Sequence, residues 1–369
     1  YTCSDLFLQE SLLDGAGKAL LTLTEATRDK NMVVLAGLPL TVNGVLYNVA
    51  AVLHDGDILG FVPKSYLPTY SEFYEGRHYH SGADIEADVL FNGRTYPFGT
   101  RLLFRCRQMP AFTLGIEICE DLWVAQPPSI SHALAGATVI ANLSASDETT
   151  GKDIYRRSLV SGQSARLVCG YIYADAGEGE SSTDLVFGAH NLICENGSIL
   201  AESERFINQM IMADMDMSKL ISERRRMTTW QPKFDNGYRV IDFGLEMHEV
   251  DLRRFIDPHP FVPDDAMDRT RRCEEILTIQ AMGLKKRLAH THCRHAVVGI
   301  SGGLDSTLAL LVTVRAFDML DMDRSQIMAV TMPCFGTTDR TYGNAVTLTK
   351  RRSCTLREIN IKAAVHQHF

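Results

Sequence analysis

No apolar run in this chain approaches the roughly 20 residues that a membrane-crossing helix needs, and no secretory signal is visible. Cysteine is scattered: nine residues, an odd number with no C-x-x-C pair, do not make a disulfide framework. Positive charge is also short. The 37 Lys and Arg against 45 Asp and Glu leave a formal net charge of −8, and the pI lies near 5.8. That balance argues against a general nucleic-acid or membrane-surface binder. Internal repeats and low-complexity tracts are missing as well. The expectation is a reduced, cytoplasmic protein.

What is present is ordinary globular composition, 45% hydrophobic and 22% charged over 369 residues, enough for about two domains with separate cores. Residues 1 to about 215 alternate helices and strands. Leu6 to Arg28 has the spacing of an amphipathic helix. Met32 to Gly37 reads as a strand, and Leu46 to Val52 and Ile58 to Val62 flank the hairpin signal Asp55-Gly56. Thr113 to Cys119, Thr138 to Leu143 and Val168 to Ala174 read as strands, with helices over Ser129 to Ala135 and Asp153 to Leu167. Asn196-Gly197 marks another hairpin. Hairpins mixed with helices suggest an α/β fold of two sheets with helices outside.

A charged helix from Met217 to Arg226 ends this first domain, 1–226, with Arg224-Arg225-Arg226 as a helix-end charge run. Residues 227–263 read as an irregular linker, clearest at Asp257-Pro258-His259-Pro260. The second domain, 264–369, opens with a helix over about Asp268 to Ala289, whose apolar face carries Cys273, Ile276, Leu277, Ala281, Leu284 and Leu288. Cys3, Cys106, Cys169, Cys194, Cys273 and Cys354 read as inert core residues. His290 to His295 has metal-binding residue types in a spacing too crowded for an ordered site, and reads as a helix-end turn.

Two stretches carry chemistry. Ala296-Val297-Val298-Gly299-Ile300-Ser301-Gly302-Gly303-Leu304-Asp305-Ser306 reads as a buried parallel strand, a glycine turn and a helix start. Glycines let the backbone approach an anion, and the helix N-terminus favours phosphate. The loop lacks both a Gly-Lys-Ser/Thr ending and a G-x-G-x-x-G pattern. In the other stretch, Cys119 follows the strand Thr113 to Ile118, where a scaffold presents a nucleophile to a pocket. Such a thiol needs a base, and a cation for the oxyanion. Lys64, opening the proline- and aromatic-rich loop Pro63 to Glu75, suits the cation.

Ser301-Gly302-Gly303-Leu304-Asp305-Ser306 resembles the pyrophosphate loop of the ATP pyrophosphatases, and the Lys64 and Cys119 stretches resemble the nitrilase superfamily. The match to the glutaminase domain of the glutamine-dependent NAD synthetases is closer still, through Ala141 to Ser146, Gly151-Lys152, Tyr173 to Ser181 and Glu195-Asn196-Gly197. Thr331 to Ala345 resembles that family's segment after the second strand of its synthetase domain, with Cys334 where a glycine is usual. The resemblance implies a nitrilase-like α-β-β-α sandwich followed by a Rossmann-like adenine-nucleotide α-hydrolase domain with a parallel sheet.

It further implies Cys119 as nucleophile and Lys64 as catalytic lysine, with Glu75 orienting the lysine. Tyr70, Glu75, Glu120, Ser146 and Lys152 would line the glutamine site, together with Tyr1. Ser301, Gly302, Gly303, Leu304, Asp305 and Ser306 would bind ATP, with Asp305 the candidate Mg²⁺ ligand. The implied partners are glutamine, ATP with Mg²⁺, and deamido-NAD, in a homo-oligomer with no prosthetic group. The family's general-base glutamate is expected upstream of Tyr1 and its later synthetase elements beyond Phe369, so both ends read as cut from something longer. Other glutamine-fed ATP pyrophosphatases, such as GMP and asparagine synthetases, use different glutaminase folds, which the Lys64 and Cys119 motifs disfavour. A nitrilase-type amidase coupled to another ATP pyrophosphatase, or a fragment that folds without turnover, are the remaining alternatives.

Overall fold

The structure, a computed structural model, describes residues 2–180, 185–234 and 237–368. The chain divides into two compact units, the first ending at Phe255 and the second starting at Ile256.

In the first unit α1 (Glu10–Ala26) leads into β1 (Val34–Val42), β2 (Val45–His54) and β3 (Asp57–Pro63), an antiparallel meander. Its turns, Asn43-Gly44 and Asp55-Gly56, hold positive φ at all four residues, the geometry that two-residue hairpins need. A further hairpin, β4 (Glu86–Phe91) and β5 (Arg94–Gly99), completes a five-stranded sheet in the order β1-β2-β3-β5-β4. Next come β6 (Leu102–Cys106), β7 (Thr113–Ile118), α2 (Pro128–Leu134), β8 (Val139–Ser144), α3 (Lys152–Leu167) and β9 (Gly170–Asp175). The unit continues with β10 (Leu192–Glu195), β11 (Ser198–Glu202), α4 (Met217–Arg226) and β12 (Arg239–Phe243). The second sheet has seven strands in the order β11-β10-β9-β8-β7-β6-β12.

Alternation along β2 sets the layers. Val49, Ala51 and Leu53 pack with Leu20 of α1, whereas Ala50 and Val52 pack with Leu114, Ile116 and Val139 of the seven-stranded sheet. On that sheet's far face Ala133 of α2 and Val160 and Leu167 of α3 meet Ile140, Tyr171 and Tyr173. The layers run helix, sheet, sheet, helix, as the resemblance implied.

Two expectations are corrected here. Residues 227–263 are not an irregular linker throughout: β12 pairs in parallel with β6, Arg239 opposite Leu102 through Phe243 opposite Cys106. Phe243 enters the core between the sheets. One buried anchor, with Ile241 half-buried and three exposed residues, leaves little local pattern to read in this five-residue edge strand. Arg224 is not part of a solvated charge run. Its guanidinium is buried, donates to the carbonyls of Ala137 (2.7 Å), Leu167 (3.0 Å) and Val168 (3.1 Å), and lies 4.5 Å from the Trp230 ring. It thereby satisfies carbonyls at the end of α3, and burial pulls its pKa down to about 10.

The second unit contains α5 (Ala266–Thr291), β13 (Ala296–Gly299), α6 (Leu304–Asp318), β14 (Ile327–Thr331), α7 (Asp339–Arg351), β15 (Thr355–Glu358) and α8 (Lys362–His368). Its three strands are parallel, in the order β13-β14-β15, with helical crossovers. Leu310, Val314 and Phe317 of α6 pack with Ile327 and Ala329 of β14 and with Ala281 and Leu288 of α5. The apolar face expected for α5 is only partly buried. Leu277 and Leu284 join the core, but Cys273 and Ile276 are exposed, so Cys273 is not a core cysteine. α5 ends at Thr291, with His292 in a left-handed cap. Among the described residues no helix is long and apolar enough to cross a membrane.

Candidate active site

Seven of the eight front-domain site residues named from the sequence, Lys64, Tyr70, Glu75, Cys119, Glu120, Ser146 and Lys152, line one cavity of about 770 Å³. They converge from both sheets. Lys64 follows β3, Cys119 follows β7, Ser146 follows β8, and Lys152 opens α3. Tyr1, the remaining candidate, and Ser181 lie outside the described residues.

Cys119 is the first residue of a single 3₁₀ turn after β7, and its φ of 46° is left-handed. A non-glycine residue there is strained, and the strain turns the side chain sharply out of the strand line. The turn is held by Asn142, whose Oδ1 accepts the Cys119 N–H at 2.9 Å. Burial pushes the Cys119 thiol pKa up, opposed by the Lys64 charge and by hydrogen bonds from the Ser144 hydroxyl and the Ala145 amide.

The lysine is built into the wall. Lys64 is 3% exposed and its ammonium is paired with Glu75. Burial works against the charge, but the pull of Cys119 and Glu75 outweighs it, so the pKa lies above the ordinary lysine value. Glu75 is in turn fixed by Asn48, whose Nδ2 donates to Oε1 at 2.7 Å. Both carboxylate oxygens of Glu75 are thus engaged. Such a permanently charged, oriented cation can stabilise negative charge developing on an attacked carbonyl oxygen.

Replacing Lys64 by Met should leave Glu75 buried without its cation and cost about 3–5 kcal/mol of stability, read by denaturant unfolding. A loss below about 1 kcal/mol would mean that the pair is not a fixed part of the fold.

The other side of the cavity is lined by polar and charged groups. Tyr70 donates its hydroxyl to Glu120 at 2.7 Å. The Lys152 ammonium pairs with Asp147 and lies 5.7 Å from the Phe73 ring and 5.4 Å from the Trp123 ring. Ser146 is held by its N–H to Asp175 at 2.9 Å, and its hydroxyl accepts from Arg156 at 3.3 Å.

Sequence reasoning missed the supports beneath these groups. Glu117 is fully enclosed within β7, accepting from the Ser129 N–H at 2.9 Å and from the Tyr171 hydroxyl, and burial pushes its pKa up. Asn142 and Asp121 were missed likewise; burial raises the Asp121 pKa to about 7. The available signal was a polar residue inside an apolar strand, Glu117 in β7 and Asn142 in β8, because such groups need a structural or chemical reason to be buried.

In the second unit the candidate loop runs from β13 into the N-terminus of α6. Ser301 and Ser306 hydroxyls lie 3.1 Å apart, the Ser301 hydroxyl accepts from the Gly303 N–H at 3.3 Å, and Ser306 donates to the Gly303 carbonyl at 3.1 Å. Gly302 has φ +85°, and a Cβ there would stand 1.9 Å from the Thr341 carbonyl oxygen. The loop therefore meets the first turn of α7, bringing the Thr331 to Ala345 segment against it. Cys334 does not have positive φ, so its side chain is compatible with the turn. Asp305 and Leu304 are exposed on the first turn of α6.

Comparison with known proteins agrees with this architecture. A glutamine-dependent NAD(+) synthetase of Mycobacterium bovis is 43% identical over 371 residues, covering 98% of this chain and 55% of the relative. The Mycobacterium leprae counterpart is 42% identical over 372 residues with the same coverage. The chain spans about half the length of the curated relatives it matches. A solved glutamine-dependent NAD(+) synthetase from Cytophaga hutchinsonii shares the fold, with a TM-score of 0.50 at 20% identity over 100% of this chain and 58% of that one. Residues 276–369 match the NAD synthase family. Residues 1–225 match the carbon-nitrogen hydrolase family, and the chain belongs to that family.

Proposed function

We propose that this chain supplies the glutamine-hydrolysing site and the ATP loop of a glutamine-dependent NAD synthetase, a carbon–nitrogen ligase. The observation that carries the reading is Cys119 on a strained turn facing the buried Lys64–Glu75 pair, in the same chain as a glycine loop at a helix N-terminus. In the first unit the Cys119 thiolate attacks the side-chain amide carbon of glutamine. Lys64 stabilises the oxyanion, the C–N bond breaks as the nitrogen takes the proton given up by the thiol, and ammonia leaves a γ-glutamyl thioester. Water then cleaves the thioester to glutamate and frees the thiol. Glu75, with both oxygens engaged, orients Lys64.

Ser146 and Lys152 contact the α-amino and α-carboxylate groups of glutamine, and Tyr70 and Glu120 line the same pocket. The cavity of about 770 Å³ has room for it.

In the second unit ATP adenylates the nicotinate carboxylate of deamido-NAD with release of pyrophosphate, and ammonia displaces AMP to form NAD. Ser301, Gly302, Gly303, Leu304, Asp305 and Ser306 cradle the phosphates with backbone N–H groups and hydroxyls. The Asp305 carboxylate, exposed on the same turn as these hydroxyls, offers hard oxygen ligands of the kind Mg²⁺ takes, and the ion would offset phosphate charge.

Two assays test the halves separately. Ammonia release from glutamine should be lost in Cys119→Ala. NAD formation from deamido-NAD, ATP and free ammonium should be lost in Asp305→Ala. Retained activity in either variant would remove that half of the reading.

A further inference from the structure

Lys64 and Cys119 belong to different sheets, Lys64 following β3 of the five-stranded sheet and Cys119 following β7 of the seven-stranded one. Backbone ladders set distances within a sheet, but two stacked sheets meet through apolar side chains, which specify spacing less sharply. One buried carboxylate crosses that gap. Asp121 Oδ1 accepts the Ser65 N–H at 3.1 Å and the Tyr66 N–H at 2.8 Å, while Oδ2 accepts the Ile118 N–H at 2.9 Å. A single rigid group therefore holds the two residues after the lysine and the residue before the cysteine. Asp121 is 1% exposed and is not among the residues lining the cavity, so it does not meet the substrate.

We propose that Asp121 is a positioning residue that sets the Lys64 ammonium against the Cys119 sulfur by tying together the backbone segments that carry them. This rests on the reading of Cys119 as the nucleophile opposite Lys64. In Asp121→Asn the side chain keeps its shape, but an NH₂ group replaces one acceptor and faces backbone N–H donors. Whichever way the amide turns, one of the two segments loses its tie, so the spacing of Lys64 from Cys119 is no longer fixed and the thiolate loses part of its counter-charge.

The test is the rate at which iodoacetamide modifies Cys119, followed over pH by mass spectrometry of the Cys119 peptide in the native protein, Asp121→Asn, Lys64→Met and the double variant. Asp121→Asn should react about tenfold more slowly near neutral pH, equivalent to raising the thiol midpoint by about one unit. Loss of a nearby negative charge would by itself ease thiol ionisation and speed the reaction. A slower reaction therefore marks displacement of the lysine. In the Lys64→Met background the Asp121 substitution should add nothing, which separates positioning from general destabilisation.

Unchanged or faster modification, or an equal slowing without Lys64, overturns the proposal. If Asp121→Asn does not fold, amide exchange in the native protein decides. Tyr66 is 41% exposed, so slow exchange of its N–H reports the bond to Asp121, and exchange at the rate of an open loop overturns it. Glutamine hydrolysis by Asp121→Asn should fall in kcat with little change in KM. If the native protein releases no ammonia from glutamine, the functional reading fails, yet the alkylation comparison still tests Asp121.

Discussion

Cys119→Gly should release no ammonia from glutamine and should be more stable than Cys119→Ala by about 0.5–1 kcal/mol. A left-handed residue with a Cβ costs about 1–2 kcal/mol, and Cys119 adopts φ 46°. Glycine removes that strain while adding about 0.5–1 kcal/mol of chain entropy to the unfolded state. Alanine keeps the strain and loses the sulfur. Both variants lose the nucleophile, so turnover should drop by at least about 10⁴-fold. Ammonia release and denaturant unfolding measured on the two variants check the pair of effects. If alanine proves as stable as glycine, the turn is not strained. If either variant keeps measurable turnover, the thiol is not the nucleophile. The contrast matters because, on the proposed reading, the strain is a stability cost retained for where it places the sulfur.

The second large effect is expected at Gly302. Alanine there would place a Cβ 1.9 Å from the Thr341 carbonyl oxygen, at φ +85°. Either the loop or the first turn of α7 must move. Strain and overpacking together should destabilise the second unit by about 2–5 kcal/mol. NAD formation with free ammonium should fall by at least about 100-fold, since an anion cradle displaced by an ångström loses most of its preorganisation. The neighbouring Gly303 is the control. A Cβ there meets only Ser301 Oγ at 3.4 Å, so Gly303→Ala should unfold close to the native protein. Equal destabilisation by the two substitutions would show that the close approach to Thr341 is not what requires glycine at 302.

Local chemistry explains why much of this protein was legible before folding was considered. The Asp55-Gly56 hairpin is written in neighbouring residues that need positive φ, and it stands where expected. The apolar runs of β7, β8 and β9 are short and bounded by turn signals, and their expected limits differ from the observed ones by one or two residues. α4 matches its expected limits because the Asp216 side chain caps its start, accepting the Lys219 N–H at 2.9 Å. The seven residues assigned to the front cavity through family resemblance do line one cavity.

What was illegible has a common character. β12 declares itself only beside β6, since four of its five residues are not buried and its hydrogen bonds come from a strand far away in sequence. Arg224 stands in an arginine run identical in type to its neighbours, and only the carbonyls of Ala137, Leu167 and Val168 distinguish it. Cys273 and Leu284 share an apolar stripe on α5, yet only one is covered, because coverage depends on where α6 and β14 lie.

By itself, then, the sequence determined the helix–sheet–sheet–helix class and the parallel second unit, and it marked the cysteine, lysine and glycines proposed here to carry chemistry. Those features rest on periodicity, turn residues and motif spacing, all of which act over a few residues. Only the tertiary structure decided that Asn48 fixes the Glu75 carboxylate paired with Lys64, that Asn142 holds the Cys119 turn, and that Asp121 spans two sheets to join them. Each is a contact between residues distant in the chain, and a buried polar group finds its partners only once the surrounding layers have closed around it.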